Sequence, residues 1–360
     1  VIDVILRHET AVCLCVDARM LLPAFFVADA VRKAAPSEAL SFDIVIFVPL
    51  EDADDEHRRW AAGHGISLRH DIETASVQDI AIHQERLSAA TLGKLLIPDL
   101  LAGRYCKILY LDADLVIGND VSALFRLDMG ERAVAAVPAG RTWHGVKDAE
   151  RDKALDHFRD LGMTPPYRYF NSGVLLVDTQ SWRRQDLTRR TLDFLTRKGE
   201  ICQLPDEDAL NGVLDGDLIE LSPIWNASPG WQQLAAQPES RPAIVHYAGP
   251  FKPWKRFMKG KGLLQDRKAY RLYRSFVRDT PWPEWLGQQW TGRDLMRAAR
   301  HQAKGGIKRL LGRKRGPSKA QRQSQQAALR QFLAETRFAD VEQGITVRDT
   351  IGMRLAPRGV

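Results

Sequence analysis

Long apolar runs are missing from this chain of 360 residues. The stretch Leu21 to Ala28 has eight residues, nine with Met20, and contains Pro23. A bilayer-spanning helix needs about 20, so none is expected. Cysteine is scarce, at four. Cys13 and Cys15 lie two apart on an apolar run, and Cys106 and Cys202 stand alone. That spacing is neither a disulfide framework nor a zinc pattern. Nothing near Val1 shows the basic, apolar and small-residue succession of a secretory signal. Internal repeats are absent. The cytoplasm is the expected compartment. Hydrophobic residues at 44% and charged residues at 27% exclude a wholly disordered, collagenous or coiled-coil chain.

What is present is unevenly spread. The formal charge is +7, but residues 281–360 hold 16 Lys and Arg against 6 Asp and Glu. Residues 1–280 hold 36 against 39. The basic character therefore belongs to the tail, and nucleic-acid binding by the whole chain is not expected. The division expected is a catalytic domain over 1–280 and a basic C-terminal extension over 281–360. A Trp- and Pro-rich joint opens the extension. Arg293–Arg315 follows, with nine basic residues, one acid, scattered Leu, Met and Ile, and the pair Gly305-Gly306. From Gly316 the chain is Gln- and Ser-rich and is expected to be loosely ordered at first.

The first 280 residues alternate two periodicities. Ala11–Asp17, Phe42–Val48, Lys107–Leu111, Ala133–Val137 and Gly173–Val177 read as short buried strands. Leu22–Ala34, Glu51–Gly63 and Ser88–Leu101 read as helices, the last with Leu92, Leu95, Leu96 and Leu100 near one face. The pattern implies an α/β fold, a mostly parallel sheet with helices on both faces. Ligands of such sheets bind beyond the carboxyl ends of the strands.

Four motifs carry chemistry. In Ile108-Leu109-Tyr110-Leu111-Asp112-Ala113-Asp114 an apolar strand delivers two carboxylates one residue apart, on one side of an extended chain. Paired oxygen donors suit a hard divalent ion such as Mg2+ or Mn2+, although Asp is also common at solvated strand ends. Tyr169-Phe170-Asn171-Ser172-Gly173 precedes an apolar strand and suits a loop approaching a ligand, or merely a turn. Pro205-Asp206-Glu207-Asp208 opens a helix, where acids also serve as simple caps. His246-Tyr247-Ala248-Gly249-Pro250-Phe251-Lys252-Pro253-Trp254 follows an apolar stretch. It offers an imidazole for a metal and a Lys for phosphate, though either can be merely structural or solvated.

With all four motifs in this order, the sequence resembles the retaining nucleotide-sugar glycosyltransferases of family 8, which have the GT-A fold. Lipopolysaccharide glucosyl- and galactosyltransferases and glycogenin are members. The likeness runs from about Ala11 to Trp254 and is most specific in YLDADLVIGND, YFNSGVLLVDTQSW and HYAGPFKPW. It implies transfer of a hexose from a UDP-sugar to a glycan or lipid-linked glycan acceptor, such as a bacterial surface polysaccharide or lipopolysaccharide. It implies Mn2+ or Mg2+ on Asp112, Asp114 and His246. Asp17 would contact the uracil base, with Asp112 and Asp114 also touching donor sugar and ribose. Gly249 and Lys252 would close over the diphosphate. Asn171, with Ser172 beside it, and Asp206 would hold donor-sugar hydroxyls. Lys94, in Ser88-Ala89-Ala90-Thr91-Leu92-Gly93-Lys94, stands where the family has Arg. Glu207 stands where it has Gln beside the reacting carbon. The catalytic set implied is thus Asp206, Glu207, Asn171 and Lys94.

Three rival readings are a dehalogenase-like phosphatase, whose strand also ends in Asp-x-Asp, a catalytically impaired nucleotide-sugar-binding module, and a nucleic-acid binder acting through the basic tail. The phosphatase motif normally lies in the first strand, whereas Asp112 falls after 111 residues. Residues 141–168 are expected to form an acceptor loop. The basic run Arg293–Arg315, helped by Trp282, Trp285 and Trp290, is expected to dock the enzyme peripherally on the anionic inner membrane.

Overall fold

The computed structural model describes residues 8–36, 41–72, 89–139, 148–165, 167–229, 242–249, 252–254 and 266–288, with residues 323 and 327. Ser88, residues 141–147, Trp290 and Arg293–Arg315 lie outside the described residues. β1 (Thr10–Cys15) leads into α1 (Ala18–Ala34), and β2 (Asp43–Phe47) is followed by α2 (Asp55–Gly63) and β3 (Ile66–Arg69). Next come α3 (Ala89–Leu101), β4 (Lys107–Leu111), β5 (Leu115–Ile117), β6 (Val134–Pro138) and α4 (Asp148–Leu161). β7 (Phe170–Asp178), α5 (Thr179–Arg184), α6 (Leu187–Lys198), α7 (Pro205–Leu214), β8 (Ile219–Glu220), β9 (Ile244–His246) and α8 (Asp266–Arg278) complete the order.

Seven strands form one sheet in the order β3-β2-β1-β4-β7-β6-β8. β7 pairs antiparallel with both neighbours, and every other pairing is parallel. The sheet is thus mostly parallel, as its β-branched, non-alternating strands require. Apolar cores lie on both faces, one around Phe25, Ile44, Leu109 and Tyr273, the other around Tyr105, Tyr110, Phe158 and Trp182. No helix among the described residues is long and apolar enough to cross a membrane.

Local physics moves several boundaries. α1 begins at Ala18, four residues before the expected Leu22, because the Asp17 carboxylate accepts from the amides of Arg19 and Met20. Asp54 caps α2 through His57 N, so Leu50–Asp52 forms a separate 3-10 turn instead of continuing the helix. Leu100, expected on the inner face of α3, is 41% exposed, and Leu101 is buried instead.

Residues 281–288 pack on the main body. Trp282 stacks on His57 at 4.3 Å, and Trp285 lies 5.9 Å from Trp254. Both indoles are half-buried and pack against the core. Tyr273 of α8 stacks on Phe26 at 3.7 Å.

Candidate functional site

The site lies where β1 and β4 end and β7 begins. β7 runs against its neighbours, so its first residues reach the sheet edge that the parallel strands reach with their last. Asn171-Ser172-Gly173 is therefore part of a strand and not the expected loop. The β6–β7 register shifts between Ala136 and Val137, an irregularity that re-aims side chains. There Gly173 O accepts from Asp112 N at 2.9 Å.

A second, two-stranded sheet supplies the histidine. β5 pairs antiparallel with β9, setting His246 opposite Leu115, and Tyr247 N donates to Asp114 O at 3.0 Å. His246 Nε2 then lies 3.1 Å from Asp114 Oδ1 and 3.7 Å from Asp112 Oδ2. The ligand atoms of Asp112, Asp114 and His246 all fall within 4.8 Å of one another. His246 Nδ1 faces Asn171 Oδ1 at 3.1 Å and Asn226 Oδ1 at 2.9 Å. Two carbonyl acceptors require Nδ1 to carry a proton, which makes Nε2 the nitrogen that meets the carboxylates and would meet a metal. Gly173 completes the fit, since a Cβ there would lie 2.2 Å from His246 Cε1 and 2.7 Å from Asp112 Oδ2. Two carboxylates with one imidazole suit Mn2+ or Mg2+.

Two lysines balance this charge. Lys252 Nζ contacts Asp114 Oδ2 at 2.5 Å. Burial opposes ionisation of Asp114, but His246 and Lys252 outweigh it and hold its carboxyl well below the ordinary range. Lys94 is 4% exposed. Its Nζ lies 2.7 Å from Asp206 Oδ2, 3.1 Å from Asp112 Oδ1 and 3.3 Å from Ser172 Oγ. Burial alone would lower its pKa, yet Asp112 and Asp206 drive it well above the usual lysine value.

The three acids opening α7 do more than cap it. Asp206 binds Ser172 Oγ at 2.9 Å, and Glu207 Oε2 accepts from Asn171 Nδ2 at 2.7 Å and Ser172 N at 3.1 Å. Asp208 turns away from the cleft. It accepts from Gln203 N, Leu204 N and the Tyr169 hydroxyl, and meets His157 Nε2 at 3.0 Å.

The Asp112–Asp114–His246 cluster, both lysines, Asn171, Ser172, Asp206 and Glu207 line one cleft of about 340 Å3, together with Cys15, Asp17, Gly249 and Leu204. Every expected site residue lies on it. Asp17 stands at its rim as the cap of α1, its second oxygen on Arg19. Asn171 contributes mainly by bracing, because its amide is engaged by Glu207, His246, Asn226 and Gly173 N. Burial pushes the Cys15 thiol up to about 12, so it is a packing group. Asn226 and Gly93 were not foreseen. Nothing in the Pro223-Ile224-Trp225-Asn226 stretch marks Asn226, whereas a glycine inside a helix does signal close approach. A Cβ at Gly93 would sit 2.3 Å from Cys15 Sγ.

Relatives share this arrangement of the chain. A family model described as Glycosyl transferase family 8 matches residues 11–257. General stress protein A of Bacillus subtilis is 32% identical over 190 residues, 48% of this chain and 62% of that protein. The lipopolysaccharide 1,2-glucosyltransferase of Escherichia coli is 29% identical over 192 residues, 49% of this chain and 51% of that protein. The chain thus spans only part of the curated relatives it matches. The galactosyltransferase LgtC, solved with donor and acceptor sugar analogs, superposes with a TM-score of 0.61 at 21% identity. The superposition covers 77% of this chain and 99% of that one, and it shows a shared GT-A fold. With the family model spanning well over half of its length, the chain belongs to glycosyltransferase family 8.

Proposed function

We propose that the chain is a metal-dependent retaining transferase that moves a hexose from a UDP-sugar to a glycan acceptor, as in building a bacterial lipopolysaccharide or other surface polysaccharide. The observation that carries this reading is the convergence of Asp112, Asp114 and His246 on the cleft that Asp206 and Glu207 also line. The three would hold Mn2+ or Mg2+. A bound ion supplies Lewis acidity to the leaving diphosphate. Lys252 would move from Asp114 to the phosphates, a short transfer within one loop that turns at Gly249, where φ is +100°. Asp206 would hold sugar hydroxyls, positioned by Lys94 and Ser172. Asp17 would meet the base at the rim.

Retention follows from attack on the face the diphosphate leaves, with the diphosphate taking the acceptor's proton. Glu207 accepts two hydrogen bonds from the start of β7, and that anchoring favours a positioning role over nucleophilic attack. The acceptor is a lipid-linked glycan, read by residues 141–168. The enzyme works in the cytoplasm, and Arg293–Arg315 docks it on the anionic inner membrane. A UDP-release screen over UDP-glucose, UDP-galactose and UDP-N-acetylglucosamine with Mn2+ tests the transfer. Release with one donor, abolished by chelator, is the expected result; full activity in excess chelator overturns metal dependence. Co-sedimentation with anionic vesicles at two salt concentrations tests the docking, which fails if deleting residues 293–360 changes nothing.

A further inference from the structure

Each metal-site carboxylate has one oxygen toward His246 and the other on a lysine. For Asp114 the lysine is Lys252, whose side chain is 24% exposed and which lies three residues past Gly249, where φ is +100°. For Asp112 it is Lys94, whose side chain is 3% exposed. Lys94 cannot swing away. Its three ammonium protons meet three acceptors on Asp112, Asp206 and Ser172, and its Nζ lies 5.0 Å from the Tyr110 ring centroid. The helix that carries it is pressed onto β1 at Gly93, against Cys15. Lys94 thus occupies Asp112 Oδ1 in every state that keeps the packing, and only Oδ2 faces His246.

We propose that Lys94 is a specificity-determining positioning residue, which restricts Asp112 to one metal-facing oxygen and so selects a six-coordinate ion over calcium. While Lys252 stays on Asp114 the protein donors are one oxygen from each aspartate and Nε2 of His246; once Lys252 leaves, Asp114 can offer its second oxygen, and Lys94 still holds Asp112 to one. Mn2+ and Mg2+ are satisfied by six ligands, whereas Ca2+ gains from the seven or eight that a bidentate carboxylate helps to supply. A lysine also differs here from a freely hydrated carboxylate, because the fixed ammonium cannot yield its place to a second metal–oxygen bond. This inference rests on the metal-dependent reading above.

The test is direct titration of the full chain with Mn2+, followed by electron paramagnetic resonance, and with Ca2+ in competition. Lys94→Met frees Asp112 Oδ1 but strands two carboxylates. The paired variant Lys94→Met with Asp206→Asn, which removes one charge of each sign, is therefore measured beside it. Both should raise the Ca2+ to Mn2+ affinity ratio about tenfold, within the range of outer-shell effects on metal binding. Lys94→Arg, which keeps a donor on Oδ1, should hold the wild-type ratio. An unchanged ratio in a folded Met variant overturns the inference, as does a folded Lys94→Arg protein that has lost the wild-type ratio. Absence of Mn2+ binding by the wild-type chain overturns the metal reading itself. Wild-type Mn2+ binding with an unmoved ratio overturns only the role of Lys94.

Discussion

His246 Nδ1 lies 2.9 Å from Asn226 Oδ1, and this contact helps decide which imidazole nitrogen faces the metal-site carboxylates. Asn226 also donates to Asn171 Oδ1 at 2.7 Å, which ties the two acceptors of Nδ1 together. Replacing Asn226 with Leu removes one acceptor and loosens the other. Mn2+ affinity should fall about 10- to 100-fold, measured by isothermal titration calorimetry with the melting temperature as a check on folding. Unchanged affinity would mean that Asn171 alone orients the ring.

Gly173→Ala should disable the same site by crowding. The new methyl would lie 2.2 Å from His246 Cε1 and 2.7 Å from Asp112 Oδ2, and both neighbours are metal-site groups that must shift. Overpacking of this kind costs about 1–3 kcal/mol. The expected result is a folded, modestly destabilised protein with weak Mn2+ binding. A variant that binds Mn2+ as wild type does would show that the cluster can relax.

Glu207→Gln should keep substantial UDP release, within about tenfold of wild type, or some 1.4 kcal/mol of barrier. An amide carbonyl can accept from Asn171 Nδ2 and Ser172 N as Oε2 does now. Glu207→Ala should lose far more. Mass spectrometry of the reacting enzyme provides the contrary outcome, a glycosyl adduct on Glu207.

Asp208 should make the fold acid-sensitive. Burial opposes its ionisation, but contacts from His157, Tyr169 and the Leu204 amide outweigh that and hold its carboxyl below the usual carboxylate range. The unfolded chain therefore binds this proton more readily. The stabilisation is present above about pH 4 and is lost as pH falls through the lower folded value. Asp208→Asn should cost on the order of 3 kcal/mol at neutral pH. It should also flatten the acid limb of a urea-unfolding series. Parallel acid limbs for variant and wild type would assign the sensitivity elsewhere.

The legible parts of the chain were those set by local rules. Lys107–Leu111 is such a part, because its apolar run from Ile108 to Leu111 is buried on both faces of the sheet. The Asp112–Asp114 spacing carried its own geometric meaning. Lys94 did not: only the approach of α3 to β1 and the arrival of α7 reveal that one ammonium joins two carboxylates. The acids at 206–208 looked like caps because composition cannot tell a carboxylate aimed along its own helix from one aimed at a neighbouring strand. The packing of Trp282 on His57 and of Trp285 near Trp254 was not legible either, because an indole suits an aqueous–apolar boundary and a protein core equally well.

The reversed direction of β7 has a consequence for how such enzymes diversify. Pro138 at the end of β6 pairs with Phe170 at the start of β7, so residues 139–169 depart from and return to one point beside the cleft. That excursion can vary in its outward residues while both anchoring strands keep their register, provided that His157 still meets Asp208 and that Phe158 and Leu161 still fill the core. A segment with fixed ends and a fixed inner face is a cassette whose exposed side is open to change. Exchanging it between homologues offers a route to new acceptors with the donor machinery left as it is.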